Sequence, residues 1–292
     1  MTAATETDEL AATAGAARPR ALVVTVYGLY ARDEAGWLSV ATLIALMGEL
    51  GVDQAAVRSA ISRLKRRGIL LPQRRDGAAG YALSDAARRI LDAGDRRIFH
   101  RPTPTLAEGW VLAVFSIPES ERAKRHLLRT RLAWLGFGTV APGIWVGPAH
   151  LLDEARHTLA QDGLSSYVEL FVSRHDGFSA TPHAVARWWD LEQIAARYDE
   201  FSRTWQPALT RWPGGRTGRD DGRDAFCDAI RVVTAWRTLP YLDPGLPPEV
   251  LPAAWPGRRA EEIFTTLYRR LERPARTYVE SARARPTPGR SR

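Results

Sequence analysis

Within ten consecutive positions the chain places Arg58, Ser59, Ser62, Arg63, Lys65, Arg66 and Arg67, and Gln54 stands one helical turn before Arg58. This set suits nucleic acid: guanidinium and amide groups pair with base edges in a major groove, while cations and hydroxyls bond phosphate oxygens. A helix over 53–67 would display it, because Val57, Ala60, Ile61 and Leu64 recur at the helical period and mark a buried side. Ser59, Ser62 and Arg66 then lie opposite, with Arg58 and Arg63 flanking. The first turns of such a helix meet base edges, so Gln54, Ala55, Arg58, Ser59 and Ser62 are the candidate readers. Arg58 and Arg63 exchange roles under a small rotation, and Lys65, Arg66 and Arg67 fall nearer phosphates.

The neighbouring segments must hold that helix in place. Residues 39–50 carry Val40, Leu43, Ile44 and Met47 at helical spacing, which predicts a preceding helix with one apolar stripe. Gly51 suits the left-handed end of that helix, and Asp53 suits the N-cap of the next. After Gly68, residues 69–75 predict a strand, Asp76 to Gly80 a hairpin tip, and residues 81–83 the returning strand, with Arg74 and Arg75 placed to touch a backbone or minor groove. Ser84 can cap a closing helix through Ile90 and Leu91. A lone basic helix is ordinarily a solvated face; the ordered run of helix, turn, helix and hairpin favours a winged helix-turn-helix on double-stranded DNA.

The chain has 292 residues, 45% of them apolar, which predicts two or three ordinary cores, and its net charge of +8 favours a polyanionic partner. That excess is carried by Arg, since Lys65 and Lys124 are the only lysines. Cys227 is the single cysteine, so no internal disulfide forms, and a buried thiol in a reducing, cytoplasmic setting is expected. Residues 1–17 lack a signal-peptide pattern and predict a disordered tail, and no apolar run reaches the roughly 18 residues of a membrane span.

From 105 onward the pattern changes to strand (110–117), helix (119–135), strand (137–140), strand (144–147), helix (149–161) and strand (167–173). That order is β-α-β-β-α-β, a ferredoxin-like unit, and the fold class is α+β. Gly136-x-Gly138-x-x-Ala141 mimics a dinucleotide fingerprint, but Pro142-Gly143 blocks the helix that must follow, so the glycines predict a helix end and a tight path into a strand. From His183 the chain predicts helices, first with Trp189, Ile194, Tyr198, Phe201 and Trp205 on neighbouring turns, then over 224–240 and 258–285. The segment 211–224 between them predicts an exposed loop. Arg with aromatics could also line a pocket for an anionic, partly apolar ligand, although core packing and surface Arg explain the same composition. The domains expected are 18–104, 105–178 and 179–285, with a frayed tail at 286–292.

Five segments together carry a family resemblance: PRALVVTVYGLYAR (19–32), AVRSAISRLKRRGIL (56–70), AWLGFGTVAPGIWVGP (133–148), WDLEQIAARYDEF (189–201) and DPGLPPEVLPAAWPG (243–257). The chain resembles PaaX-type transcriptional regulators over nearly everything after residue 18. The resemblance implies a winged N-terminal domain, a central domain similar to that of Cas2 nucleases, a helical C-terminal domain and a homodimer. It further implies repression of an aromatic-acid catabolic operon, of the phenylacetate type, relieved by an aryl-acyl-CoA such as phenylacetyl-CoA. No ligand-contacting residue is matched. Such a regulator needs two conformations rather than catalytic residues, with the effector bound near the central and C-terminal domains altering the spacing of paired recognition helices.

Rival readings are weaker. A Cas2-like metal-dependent nuclease needs an acid at the end of the first central strand, where Phe115-Ser116-Ile117 stands and Glu119 only opens the next helix. That leaves the central domain a structural and dimerising role. Neither lysine sits in a P-loop, and the residues around Ser179 lack the second glycine of a nucleophile elbow. His126, His150, His157, His175 and His183 make no paired ligand motif with Cys227, so no metal is expected. Sequence-independent packaging would bind DNA with strong salt dependence and no operator preference.

Overall fold

The computed structural model describes residues 19–32, 36–214 and 221–284. The tails at 1–17 and 286–292, and the centre of the Gly-rich segment, lie outside the described residues.

Along the chain come α1 (Pro19–Tyr30), β1 (Trp37–Ser39), α2 (Val40–Glu49), α3 (Gln54–Arg66), β2 (Leu70–Arg75), β3 (Ala78–Leu83) and α4 (Asp85–Phe99). Next are β4 (Trp110–Phe115), α5 (Arg122–Leu135), β5 (Gly138–Ala141), β6 (Ile144–Pro148), α6 (Leu152–Gln161) and β7 (Val168–Ser173). Then follow α7 (Thr181–Trp188), α8 (Leu191–Arg211), α9 (Gly222–Trp236), the short α10 (Leu239–Leu242) and α11 (Gly257–Ala284). The architecture is α+β.

Two compact units form, and they cut across sequence order: one holds Arg97–Glu200 with Thr238–Arg258, the other the described residues of 19–96, 201–237 and 259–284. The segment 179–285, expected as one helical domain, is therefore shared between them.

In the first unit the strands order as β5-β6-β4-β7, every neighbour antiparallel, which is the ferredoxin-like topology. Alternation along β4 sends Val111 and Ala113 to one face, where they join Leu128, Leu132 and Leu135 of α5 and Ala155 and Leu159 of α6 in a continuous core. Trp110 points to the other face and meets Trp188 and Trp189, with ring centroids at 5.8 and 6.0 Å. Gly136 ends α5 with φ 88°, and a side chain at Gly138 would stand 2.7 Å from the Trp188 carbonyl, so both glycines serve the backbone path. The helix expected through Trp189 is interrupted there. Trp189 turns its indole Nε1–H onto the Gly136 carbonyl at 2.9 Å, and Asp190 restarts the helix by accepting from Gln193 N.

The second unit builds on α1, whose residues from Ala21 to Tyr27 are all buried and which packs against both α3 and α9. Thr25 Oγ1 and Thr234 Oγ1 share a buried hydrogen bond at 2.8 Å. On α9 and α11, Trp236 and Phe264 stack with centroids at 4.7 Å. Instead of stopping near Leu91, α4 continues to Phe99, and Arg32 holds its flank through Asp92 and Asp95.

Candidate nucleic-acid interface

Ser39 opens α2 by accepting from Thr42 N at 3.0 Å, and Leu43, Leu46 and Met47 bury its inner face. The stripe differs from the one expected: Val40 and Ile44 are half-buried, and Leu46 takes the inward place. Gly51 (φ 79°) follows the helix. Asp53 Oδ1 then accepts from Ala56 N at 2.9 Å, so the cap read from sequence starts α3.

Val57, Ala60, Ile61 and Leu64 are all buried, which fixes the rotation of α3 about its axis. Gln54, Ala55, Arg58, Ser59, Ser62, Arg63, Lys65 and Arg66 are consequently exposed, with Ala55, Ser59, Ser62 and Arg66 in the row diametrically outward. Arg67 is half-buried as the C-cap, its N–H bonded to the Arg63 carbonyl. Three cations in the last turn of α3 also suit the negative end of the helix dipole.

The hairpin is tighter than expected. Asp76 (φ 49°) and Gly77 (φ 78°) alone make the turn, both left-handed, as a two-residue turn between twisted strands requires. Ala78, Ala79 and Gly80, expected in the tip, are ladder residues facing Arg75, Arg74 and Gln73. A three-stranded antiparallel sheet results, ordered β1-β3-β2. Arg74 remains exposed and donates to the Gly77 carbonyl at 2.6 Å. Arg75 instead folds back, its Cζ 5.4 Å from the Trp37 ring centroid and its Nη2 3.3 Å from Gln73 Oε1. Sequence reasoning passed over Trp37, which also donates to the Gln73 carbonyl at 3.2 Å. The available signal was Gly80: a glycine inside a strand marks a close approach, here of the Trp37 ring.

The first unit contains a buried ionic cluster that the sequence did not reveal. Arg101 Nη2 lies 2.7 Å from Asp243 Oδ1, Arg101 Nη1 donates to Tyr198 Oη at 2.8 Å, and that hydroxyl donates to Asp243 Oδ2 at 2.8 Å. Burial alone would raise the Asp243 carboxyl, but Arg101, Tyr198 and the Gly245 N–H together hold it below the usual carboxylate range. Every acceptor is met, so the cluster reads as a brace on the bend at 243–245. Burial, and then the Arg101 charge, push the His150 imidazole pKa below its ordinary value. Among the described residues no group of three or more His, Cys, Asp or Glu is placed to hold a metal ion, and no helix is long and apolar enough to cross a membrane.

Three consecutive family matches cover the helix pair with its hairpin, the four-stranded unit after it and the C-terminal helices. Residues 18–87 match the family described as PaaX-like protein, 103–185 the PaaX protein central Cas2-like domain, and 189–281 the PaaX-like protein C-terminal domain. The chain belongs to the PaaX family. Its β-α-β-β-α-β unit is the central Cas2-like domain of that family. Among relatives, the chain is 26% identical over 266 residues to the transcriptional repressor PaaX of Escherichia coli (strain K12), covering 88% of this chain and 82% of that protein. A solved structure, the uncharacterized protein Rv0674 from Mycobacterium tuberculosis, superimposes with a TM-score of 0.57 at 21% identity, covering 91% of this chain and 100% of that one. That likeness shows a shared fold alone.

Proposed function

We propose that this PaaX-family protein is a sequence-specific DNA-binding transcriptional regulator and that residues 39–83 act as a winged helix-turn-helix. In this reading α3 enters the major groove with Gln54, Arg58, Ser59 and Ser62 toward base edges. Lys65, Arg66 and the hairpin residue Arg74 meet phosphates. One observation carries the reading: α3 commits one face to the core and presents a basic, hydrogen-bonding face outward, in a chain similar to a transcriptional repressor over 88% of its length.

The regulator acts as a repressor of an aromatic-acid catabolic operon of the phenylacetate type. It works as a homodimer, since two recognition helices on paired half-sites give the spacing selectivity that one helix lacks. An aryl-acyl-CoA, with phenylacetyl-CoA the first to try, binds the conformation with the weaker operator affinity and so releases the DNA.

Fluorescence anisotropy tests this directly, using duplex from upstream of the gene and its neighbouring operon in excess unrelated DNA. Specific binding released by phenylacetyl-CoA is the expected result. Specific binding that ignores the thioester would overturn the effector but keep the regulator, and equal binding to both DNAs would overturn the regulator.

A further inference from the structure

Glu49, the last residue of α2, is where the C-terminal helices take hold of the reading segment. Its carboxylate receives Arg223 Nε from α9 and the Tyr278 hydroxyl from α11, the latter at 3.0 Å. Its backbone carbonyl accepts from the Cys227 thiol of α9 at 3.2 Å. These partners lie 174, 229 and 178 residues away in sequence, yet all converge on one residue of one compact unit.

We propose that Glu49 is a positioning residue for the reading helix, through which α9 and α11 set where α3 begins; the proposal rests on the DNA-binding reading above. The link from Glu49 to α3 has little slack. Leu50 N and Val52 N both bond the Met47 carbonyl at 3.1 Å, and Gly51 N bonds the Gly48 carbonyl at 2.9 Å. Asp53 then caps α3 directly. Moving Glu49 therefore moves the first turn of α3, where Gln54 and Arg58 stand.

The far ends of the contact are anchored as well. Phe226, one residue before Cys227, packs on Tyr30 at 5.9 Å and on Tyr278 at 5.8 Å, so α1, α9 and α11 share one aromatic joint beside the Glu49 contacts. The Arg223 side chain is 58% exposed, and an exposed ion pair by itself contributes little. What distinguishes the site is that two helices grip both the side chain and the carbonyl of the residue that ends α2. Any event that shifts α9 or α11 is passed to the reading face by this route.

The test compares wild type, Glu49→Gln, Tyr278→Phe and their double variant, with a labelled duplex from upstream of the gene and an unrelated duplex as probes. Each single variant weakens binding to the upstream duplex by about tenfold, the scale of one charge-assisted hydrogen bond. Unrelated DNA, held through phosphates, is bound within about twofold of wild type. The double variant binds no more weakly than Glu49→Gln alone, because both changes cut the same link. Amide hydrogen exchange over residues 50–57 speeds up in all three. If Glu49→Gln unfolds the unit, Tyr278→Phe decides, since it keeps the ring against Phe226 and removes only the hydroxyl. Wild-type affinities in the variants, or equal losses on both duplexes, overturn the proposal. Lack of preference by the wild type overturns the DNA-binding reading instead, and unchanged exchange over 50–57 overturns the mechanical link whatever the DNA result.

Discussion

Gln54 and Arg58, one turn apart on α3, face each other: with its amide oxygen toward the guanidinium, Gln54 accepts from Arg58 Nη2 at 2.9 Å and from Nε at 3.3 Å. The contact fixes the plane of the guanidinium and leaves both Nη1 hydrogens and one on Nη2 for another partner. In the DNA-binding reading proposed above, Arg58 is thereby held as a two-pronged donor in the free protein. Arg58→Ala is expected to cost about 1–3 kcal/mol of operator affinity while leaving unrelated DNA nearly unaffected. Gln54→Ala costs less, and the double variant costs less than the sum, because the two side chains act as a unit. Unchanged operator affinity in Arg58→Ala would remove it from the reading set.

Gly80 tests the small sheet. A Cβ there would stand 2.5 Å from the Leu38 carbonyl oxygen and 2.5 Å from the Trp37 ring, and the carbonyl belongs to a paired strand that cannot swing aside. Gly80→Ala should destabilise the unit by about 1–3 kcal/mol, the usual cost of overpacking. Urea unfolding measures it. Ala79→Ser, at an exposed neighbouring ladder position, serves as the control and should keep the wild-type midpoint. Equal midpoints for both variants would refute the close approach.

Local period and caps made much of this legible. Val57, Ala60, Ile61 and Leu64 sit at helical spacing behind an Asp that can cap, so the rotation of α3 and its outward row follow from residues 53–66 alone. The alternating strands of the central unit were readable for the same reason. Contacts across strands or across the chain leave no such mark. Arg75 looks like a hairpin-tip cation until Trp37, on β1, is brought beneath it. Tyr198 and Trp189 share a helical pattern, yet Asp190 breaks the helix between them because its side chain caps better than it propagates. The Arg101–Asp243 pair joins residues 142 positions apart, and neither residue's neighbours announce the other.

That pair gives a pH signature. The folded-state pKa of Asp243 is depressed relative to the unfolded chain. Its contribution is therefore complete above the unfolded value of about 3.9 and is lost as pH falls through the lower folded value. Asp243→Asn leaves the Arg101 guanidinium buried without an anion, which typically costs about 3–5 kcal/mol at neutral pH. The gap in urea midpoint between wild type and Asp243→Asn should be widest from pH 5 to 7 and narrow as pH falls below about 3.9. A gap that stays constant down to the acid limit would mean the carboxylate charge contributes nothing.

Lys65 and Arg75 separate the phosphate contact proposed above from a structural cation. Lys65 is exposed in the last turn of α3, whereas Arg75 is half-buried with its guanidinium over Trp37. Each lost phosphate contact makes the slope of log K against log salt concentration shallower by about 0.9 on duplex DNA. Lys65→Ala should show that change, with operator preference over unrelated DNA retained, because phosphates carry no sequence information. Arg75→Ala should leave the slope as in wild type and lower thermal stability slightly, since a cation–π contact of this exposure contributes about 0.5–1 kcal/mol. Titrations at several salt concentrations decide between them. If Arg75→Ala flattens the slope and Lys65→Ala does not, the hairpin and not the end of α3 tracks the backbone, and the docking of α3 proposed here must be rotated toward the hairpin.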